Sequence, residues 1–222
     1  LVAMWLRRPP PVEAPTRRYT VSFPADALYL NFVGLEIAIA PDGSRFVYPG
    51  GPSRDKAEFI LQERDQLTGR TIPGMTNAFS PVFSPDGRRI AFRDQRFGSL
   101  KVISLDGSTP TTLLDSLSGF MNGGLAWGRD GYIYAPGMQG VRGILYRIPE
   151  TGGAPEPVTS ADTANGTLGH ITPVAMQGGR GIVYTEWHGP TRGNDNWIVA
   201  WDLKNRRATR LIQGLQAWYL EA

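Results

Sequence analysis

The residues best suited to chemistry lie late in the chain. His170 and His188 are the two histidines, and each stands near a carboxylate-bearing stretch, at Asp162 and Glu186. Imidazole and carboxylate together can ligate zinc, but zinc sites use three or four ligands at recognisable spacings. The chain has no cysteine and no His-Glu-x-x-His motif, so that pattern is missing. Both histidines read instead as loop residues satisfied by the backbone. Asn194-Asp195-Asn196 after Gly193 offers the oxygen-rich side chains that calcium prefers. It lacks the spaced Asp-x-Asp-x-Asp ligands and distal Glu of a calcium loop, so no metal is expected, and nothing points to a cofactor. No Gly-x-Ser-x-Gly pentapeptide occurs, which leaves a serine hydrolase without its nucleophile elbow. Asn165-Gly166-Thr167 fits a glycosylation triplet, one that any surface loop can carry. The expected catalytic inventory is empty.

Recognition is the remaining chemistry. Of the six tryptophans, Trp127 and Trp201 sit within strand-like segments and read as packing residues. Trp187 is freer, following Tyr184 into the long segment Glu186–Asn196. Trp187, His188, Arg192, Asn194, Asp195 and Asn196 therefore form the candidate recognition loop for a protein or peptide ligand, because binding residues concentrate on loops held by a rigid scaffold. The net charge of +3 and pI near 9.3 come from basic residues scattered singly or in pairs. A nucleic-acid binder concentrates them in a stripe, so that class is set aside.

The scaffold is legible as a repeat. An apolar strand, an Asp-Gly-type turn and a second apolar strand ending in an aromatic recur at Glu36–Tyr48, Pro81–Phe92, Gly124–Tyr134 and Pro173–Tyr184. Asp42, Asp86 and Asp130 are spaced by 44 residues, and Gly178 follows 48 later. Aspartate bonds backbone two residues on, and glycine accepts positive φ, so Asp42-Gly43, Asp86-Gly87 and Asp130-Gly131 are structural turns. Each unit adds a more polar hairpin: Glu58–Gln62 with Arg70–Ile72, Ser99–Ser104 with Thr111–Leu114, Gly143–Ile148 with Pro155–Val158, Trp197–Asp202 with Arg207–Leu211. Four short strands at a fixed period of about 40–50 residues are the signature of a β-propeller blade. The fold class is all-β, with about four four-stranded blades, spanning about 35–78, 79–121, 122–170 and 171–214. Near-continuous apolarity in the inner strands means that both sheet faces are covered. Apolar residues at 41% suffice for such a core. Zero cysteines exclude disulfides and leave the compartment open.

Ahead of the propeller, Leu1–Leu6 is apolar, Arg7-Arg8 follows, and residues 7–18 form a Pro/Arg-rich linker. Six residues cannot cross a bilayer, which takes about 20. Leu1–Leu6 reads either as the trailing end of a transmembrane helix or as part of an inter-domain connection. Paired arginines beside a membrane favour its cytoplasmic side, which pulls against an outside propeller.

The chain resembles the WD-repeat-like, TolB-type (PD-repeat) propellers of membrane-anchored bacterial serine/threonine kinases. The resemblance rests on Thr16–Pro24, Ala40–Arg45, Phe79–Arg88, Leu125–Gly131, and Leu145–Pro149 with Gly152-Gly153. It implies an extracytoplasmic sensing or protein-interaction propeller, non-catalytic in itself and anchored through an upstream helix. It also implies a ring of six blades, with Tyr19–Phe23 completing the last and residues 215–222 beginning a fifth, so that the chain is a partial ring. No kinase motif lies within the chain, so a kinase domain would stand upstream. Similar repeats occur in the periplasmic TolB protein and in the gating propellers of prolyl-oligopeptidase-like peptidases, the two alternative readings.

Overall fold

The computed structural model describes residues 37–50, 58–75, 78–94, 98–115, 123–139, 142–160, 164, 166–189 and 195–217. The readings of Leu1–Leu6, the linker at 7–18, Tyr19–Phe23 and the strand start at Trp218 lie outside these residues.

The Asp-Gly turns set the geometry of each inner hairpin. Asp42 Oδ1 accepts from the Ser44 N–H at 2.9 Å, and Asp86 Oδ1 from the Arg88 N–H at 3.1 Å. Gly43, Gly87 and Gly131 follow with φ of +66°, +70° and +82°. In the fourth unit a 3-10 turn at Gln177–Gly179 takes this place, with Gly178 and Gly179 both at positive φ. A Cβ at Gly87 would meet nothing closer than Pro41 Cδ at 3.7 Å, so there is room for a side chain and the obstacle is conformational. Gly87→Val should therefore cost about 1 kcal/mol or more through the left-handed φ penalty. Equal urea midpoints for wild type and G87V would overturn this account of the turn.

Among the described residues four antiparallel sheets of four strands result. They are β1(Ala38–Ile39)–β2(Arg45–Gly50)–β3(Glu58–Glu63)–β4(Arg70–Thr71), β5(Ala78–Phe83)–β6(Arg89–Asp94)–β7(Ser99–Ser104)–β8(Thr111–Leu114), β9(Ala126–Trp127)–β10(Tyr132–Gln139)–β11(Arg142–Pro149)–β12(Glu156–Pro157), and β13(Gly169–Ala175)–β14(Gly181–Trp187)–β15(Trp197–Asp202)–β16(Arg207–Gln213). The innermost strands touch in the order β1, β5, β9, β13, which arranges the sheets around a common axis. The turns follow the same arc: Gly87 approaches Pro41, and Gly179 approaches Asp130. This is a β-propeller architecture with four four-stranded blades.

The apolar strands are explained by the cores they serve. Ala38, Val47, Phe59 and Leu61 meet Phe83, Ile90, Phe92 and Ile103 between the first two blades. Ala91, Leu100 and Val102 meet Leu125, Trp127, Ile133 and Ile148 between the second and third. Ala126, Tyr134, Leu145 and Val158 meet Ile182, Tyr184 and Val199 between the third and fourth. Alternate residues of one strand point to opposite faces, so Ile90 and Phe92 serve one core and Ala91 the next.

Two inner strands reach further than their sequence units. β13 begins at Gly169 rather than at 171, and β5 at Ala78 rather than 79. Ser80 and Thr172 each precede a proline and take φ of +51° and +50°, and a bulge there lets pairing resume beyond it. The segment expected to be a loop from Glu186 is also shorter. Glu186 and Trp187 close β14, paired with His170 and Gly169. Pairing on both sides by β13 and β15 holds Glu186 in the sheet.

Candidate functional site

The recognition loop is built on the rim of the fourth blade. Strand periodicity puts Ile182, Tyr184 and Glu186 on one face of β14, and Ile182 and Tyr184 enter the core shared with the third blade. Glu186 therefore carries a carboxylate to a site that is 7% exposed. Desolvation there opposes ionisation, but three elements supply compensating donors. Arg210 of β16 reaches it with Nη2 at 2.5 Å and Nε at 3.2 Å, and the Thr167 hydroxyl donates at 3.1 Å. His188 Nε2 lies 3.1 Å from the same Oε1. The donors win, and the carboxyl is held below its ordinary range. Arg210 also lies over the Trp197 ring at 5.6 Å.

His188 and Asn196, on either side of residues 190–194, are tied together. The His188 backbone N–H donates to Asn196 Oδ1 at 2.7 Å, and both residues are buried. Among the described residues His188 Nδ1 is buried with no hydrogen-bond partner. Gly214 N–H donates to the Asn196 carbonyl at 3.0 Å, linking the same point to the end of β16. Of the six residues assigned to recognition, His188 and Asn196 thus form the base, and Trp187 and Asp195 are half-buried at its mouth. Arg192 and Asn194 lie outside the described residues, as does Asn165 of the glycosylation triplet.

His170 belongs to a neighbouring cluster rather than to a loop. It sits on β13, its Nδ1 lies 2.7 Å from the Thr159 hydroxyl, and its ring packs on Tyr184 at 4.6 Å between centroids. Thr159 Oγ1 also accepts from the Leu145 N–H at 2.9 Å, so one hydroxyl joins the third blade to the fourth. Burial pulls the imidazole down to about 4, with the Glu186 charge acting in the other direction. His170 is neutral at physiological pH.

The sequence reading named Glu186 only as a nearby carboxylate and did not assign Arg210, Thr159 or Thr167. The Glu186-x-His188 spacing was the available signal, since residues two apart on a strand share a face. Arg210 is bonded across an intervening strand, and no local pattern reveals it. Trp127 and Trp201 pack at blade seams, and the Trp127 indole donates to Glu150 at 2.8 Å. Glu150 also pairs with Arg89 of the second blade at 3.1 Å.

Chemically, the rim positions a loop and neutralises a buried charge. Among the described residues no group of three or more His, Cys, Asp and Glu is placed to hold a metal ion. On the turn face, Pro41, Phe83, Pro85, Trp127, Arg129 and Met176 line a cavity of about 110 Å³, whose lining mixes apolar rings with the Arg129 side chain. Among the described residues no helix is long and apolar enough to cross a membrane.

These features define a β-propeller built of four-stranded antiparallel blades. Its fold is that of TolB-like propellers. TolB from Acinetobacter baumannii superposes with a TM-score of 0.65 at 18% identity, over 81% of this chain and 43% of that one. A putative TolB from Agrobacterium tumefaciens gives 0.67 at 17% identity, over 80% and 64%. A prolyl endopeptidase structure gives 0.58 at 13% identity, over 84% of this chain and 32% of that one. The chain thus spans roughly half the length of the TolB structures it matches. No protein-family model and no curated protein sequence matches it.

Proposed function

We propose that this chain is a non-catalytic sensing or protein-interaction propeller, extracytoplasmic and anchored in the membrane of a bacterial cell through a helix upstream. The parent would be a serine/threonine kinase. The observation that carries the interaction role is the rim of the fourth blade, where the buried Glu186 paired with the exposed Arg210 and the His188–Asn196 bond hold the two ends of a segment together. A hydrogen-bonded base of this kind gives the rigid support on which binding residues are carried. The ligand is a protein or peptide. The kinase connection is supported by the resemblance of the blade repeats and by the apolar Leu1–Leu6 followed by a proline-rich spacer.

The reading is tested by the parent gene. About 20 apolar residues ending at Leu6, preceded by kinase motifs, are expected. A soluble domain running directly into Leu1 would refute it. A second reading is favoured by the prolyl endopeptidase match: the gating propeller of a serine peptidase. That predicts a Gly-x-Ser-x-Gly elbow downstream of Ala222, with Asp and His further on. The TolB matches favour a third reading, a periplasmic partner-binding propeller, which requires a cleavable signal peptide upstream.

A further inference from the structure

The outer edge of the fourth blade departs from that of the others. The outermost strands β4, β8 and β12 have 2, 4 and 2 residues, whereas β16 has 7. Every residue of β16 is exposed. Among the described residues it is the last strand of its sheet, so half of its backbone N–H and C=O groups point outward with no described strand beside them. Proteins ordinarily keep such edges short, because an unpaired edge is a template for another strand. Here the long edge also carries apolar side chains: Leu211 is 55% exposed, Ile212 65% and the following Leu215 58%.

Charge selects the kind of strand that fits. Lys204, Arg206, Arg207 and Arg210 fall within seven residues at or just before β16, and all are exposed. Arg210 is already bonded to Glu186, and Asp202, the acidic residue of this corner, is turned to the N–H and amide of Asn205. The face leading to the edge is a cavity of about 390 Å³ whose walls include Trp201, Arg207 and Thr209. A second copy of the chain is a poor occupant: pairing β16 with itself places both pairs of Arg207 and Arg210 along one short ladder, and like charges across strands repel.

We infer that β16 is a docking edge for an extended, acidic-and-apolar segment of another protein, which adds to the fourth blade as a fifth strand. Main-chain bonds supply the affinity, Leu211 and Ile212 an apolar strip, and Arg207 the charge selection. The edge adjoins the base at His188 and Asn196, to which Arg210 and Gly214 connect it, but the inference rests on the outward face of β16 and does not depend on a kinase parent.

The test uses the full chain and a blocked alternating valine–glutamate heptapeptide, with the valine–lysine heptapeptide as control. Hydrogen exchange followed by mass spectrometry should show the glutamate peptide slowing exchange within Arg207–Gln213. Arg207→Glu, a change at an exposed side chain, should weaken binding by about tenfold, and added salt should do the same. Preserved far-UV circular dichroism in R207E separates lost binding from lost folding. Protection elsewhere, equal binding of the lysine peptide, or no binding at all would overturn the inference. So would concentration-dependent protection of the same amides without peptide, which would make the occupant a second copy.

Discussion

Tyr134→Ala is expected to cost about 3–5 kcal/mol, enough to unfold much of a domain of ordinary stability. The ring is 1% exposed and stands between the third and fourth blades with Leu145, Ile182, Tyr184 and Val199. Removing it opens a cavity that two rigid sheets cannot close, so the loss exceeds simple transfer of the ring to water. Tyr134→Phe isolates the hydroxyl, which donates to Asp130 Oδ2. Asp130 is exposed and can replace that donor with water, so the phenylalanine variant should lose only about 1 kcal/mol. Burial and the adjacent Asp130 also push the phenol far above its ordinary pKa, so no titration of Tyr134 complicates the comparison. Guanidinium unfolding of the two variants checks the ratio. Losses of similar size would mean that the hydrogen bond, not the packing, secures this seam.

The second large effect is acid destabilisation through His170. Its imidazole is free to protonate near 6.5 in the unfolded chain, but burial holds it down to about 4 in the fold. Between these values the unfolded state binds the extra proton, so stability rises with pH across that window and is complete above about 6.5. The difference corresponds to about 3 kcal/mol between neutral pH and pH 4. Glu186, whose charge acts on His170, acts in a separate window. Desolvation raises its pKa, but bonds from Arg210, His188 and Thr167 leave it lowered overall from 4.5. Its contribution is therefore present above 4.5 and is lost as pH falls through the folded value. His170→Gln keeps a partner for Thr159 and removes the titration, so its stability should be nearly flat between pH 6.5 and 4.5. A wild-type protein with the same flat profile would show that His170 protonates freely in the fold.

The architecture was readable because its determinants are local. Asp42-Gly43, Asp86-Gly87 and Asp130-Gly131 specify turns by their own backbone preferences, and their spacing counts the blades. Strands such as Ser99–Ser104, Thr111–Leu114 and Trp197–Asp202 lie where their patterns place them. The bulges were hidden because Ser80-Pro81 and Thr172-Pro173 look like strand breakers, and only the pairing partners show that the strand continues through them. The site was less readable for a related reason. His170 bonds Thr159 across two blades, and Glu186 bonds Arg210 across an intervening strand. No periodicity encodes either pair. Asn196, one of the oxygen-rich side chains expected to be available for recognition, is instead wholly buried and bonded to the His188 N–H.

The alternation of one strand between two cores changes what nearness along the chain means. Ile133 and Ala135 serve the second blade, and Tyr134 between them serves the fourth. Substitutions at adjacent positions of β10 thus act on separate seams, while Tyr134 shares its surroundings with Tyr184, fifty positions away. Non-additivity between substitutions should follow shared contacts, so neighbours in sequence are near-independent and residues of consecutive repeats are coupled. Substitution can then proceed seam by seam: a change on one face of a blade is compensated from the facing blade, and the next residue of the same strand is free to vary.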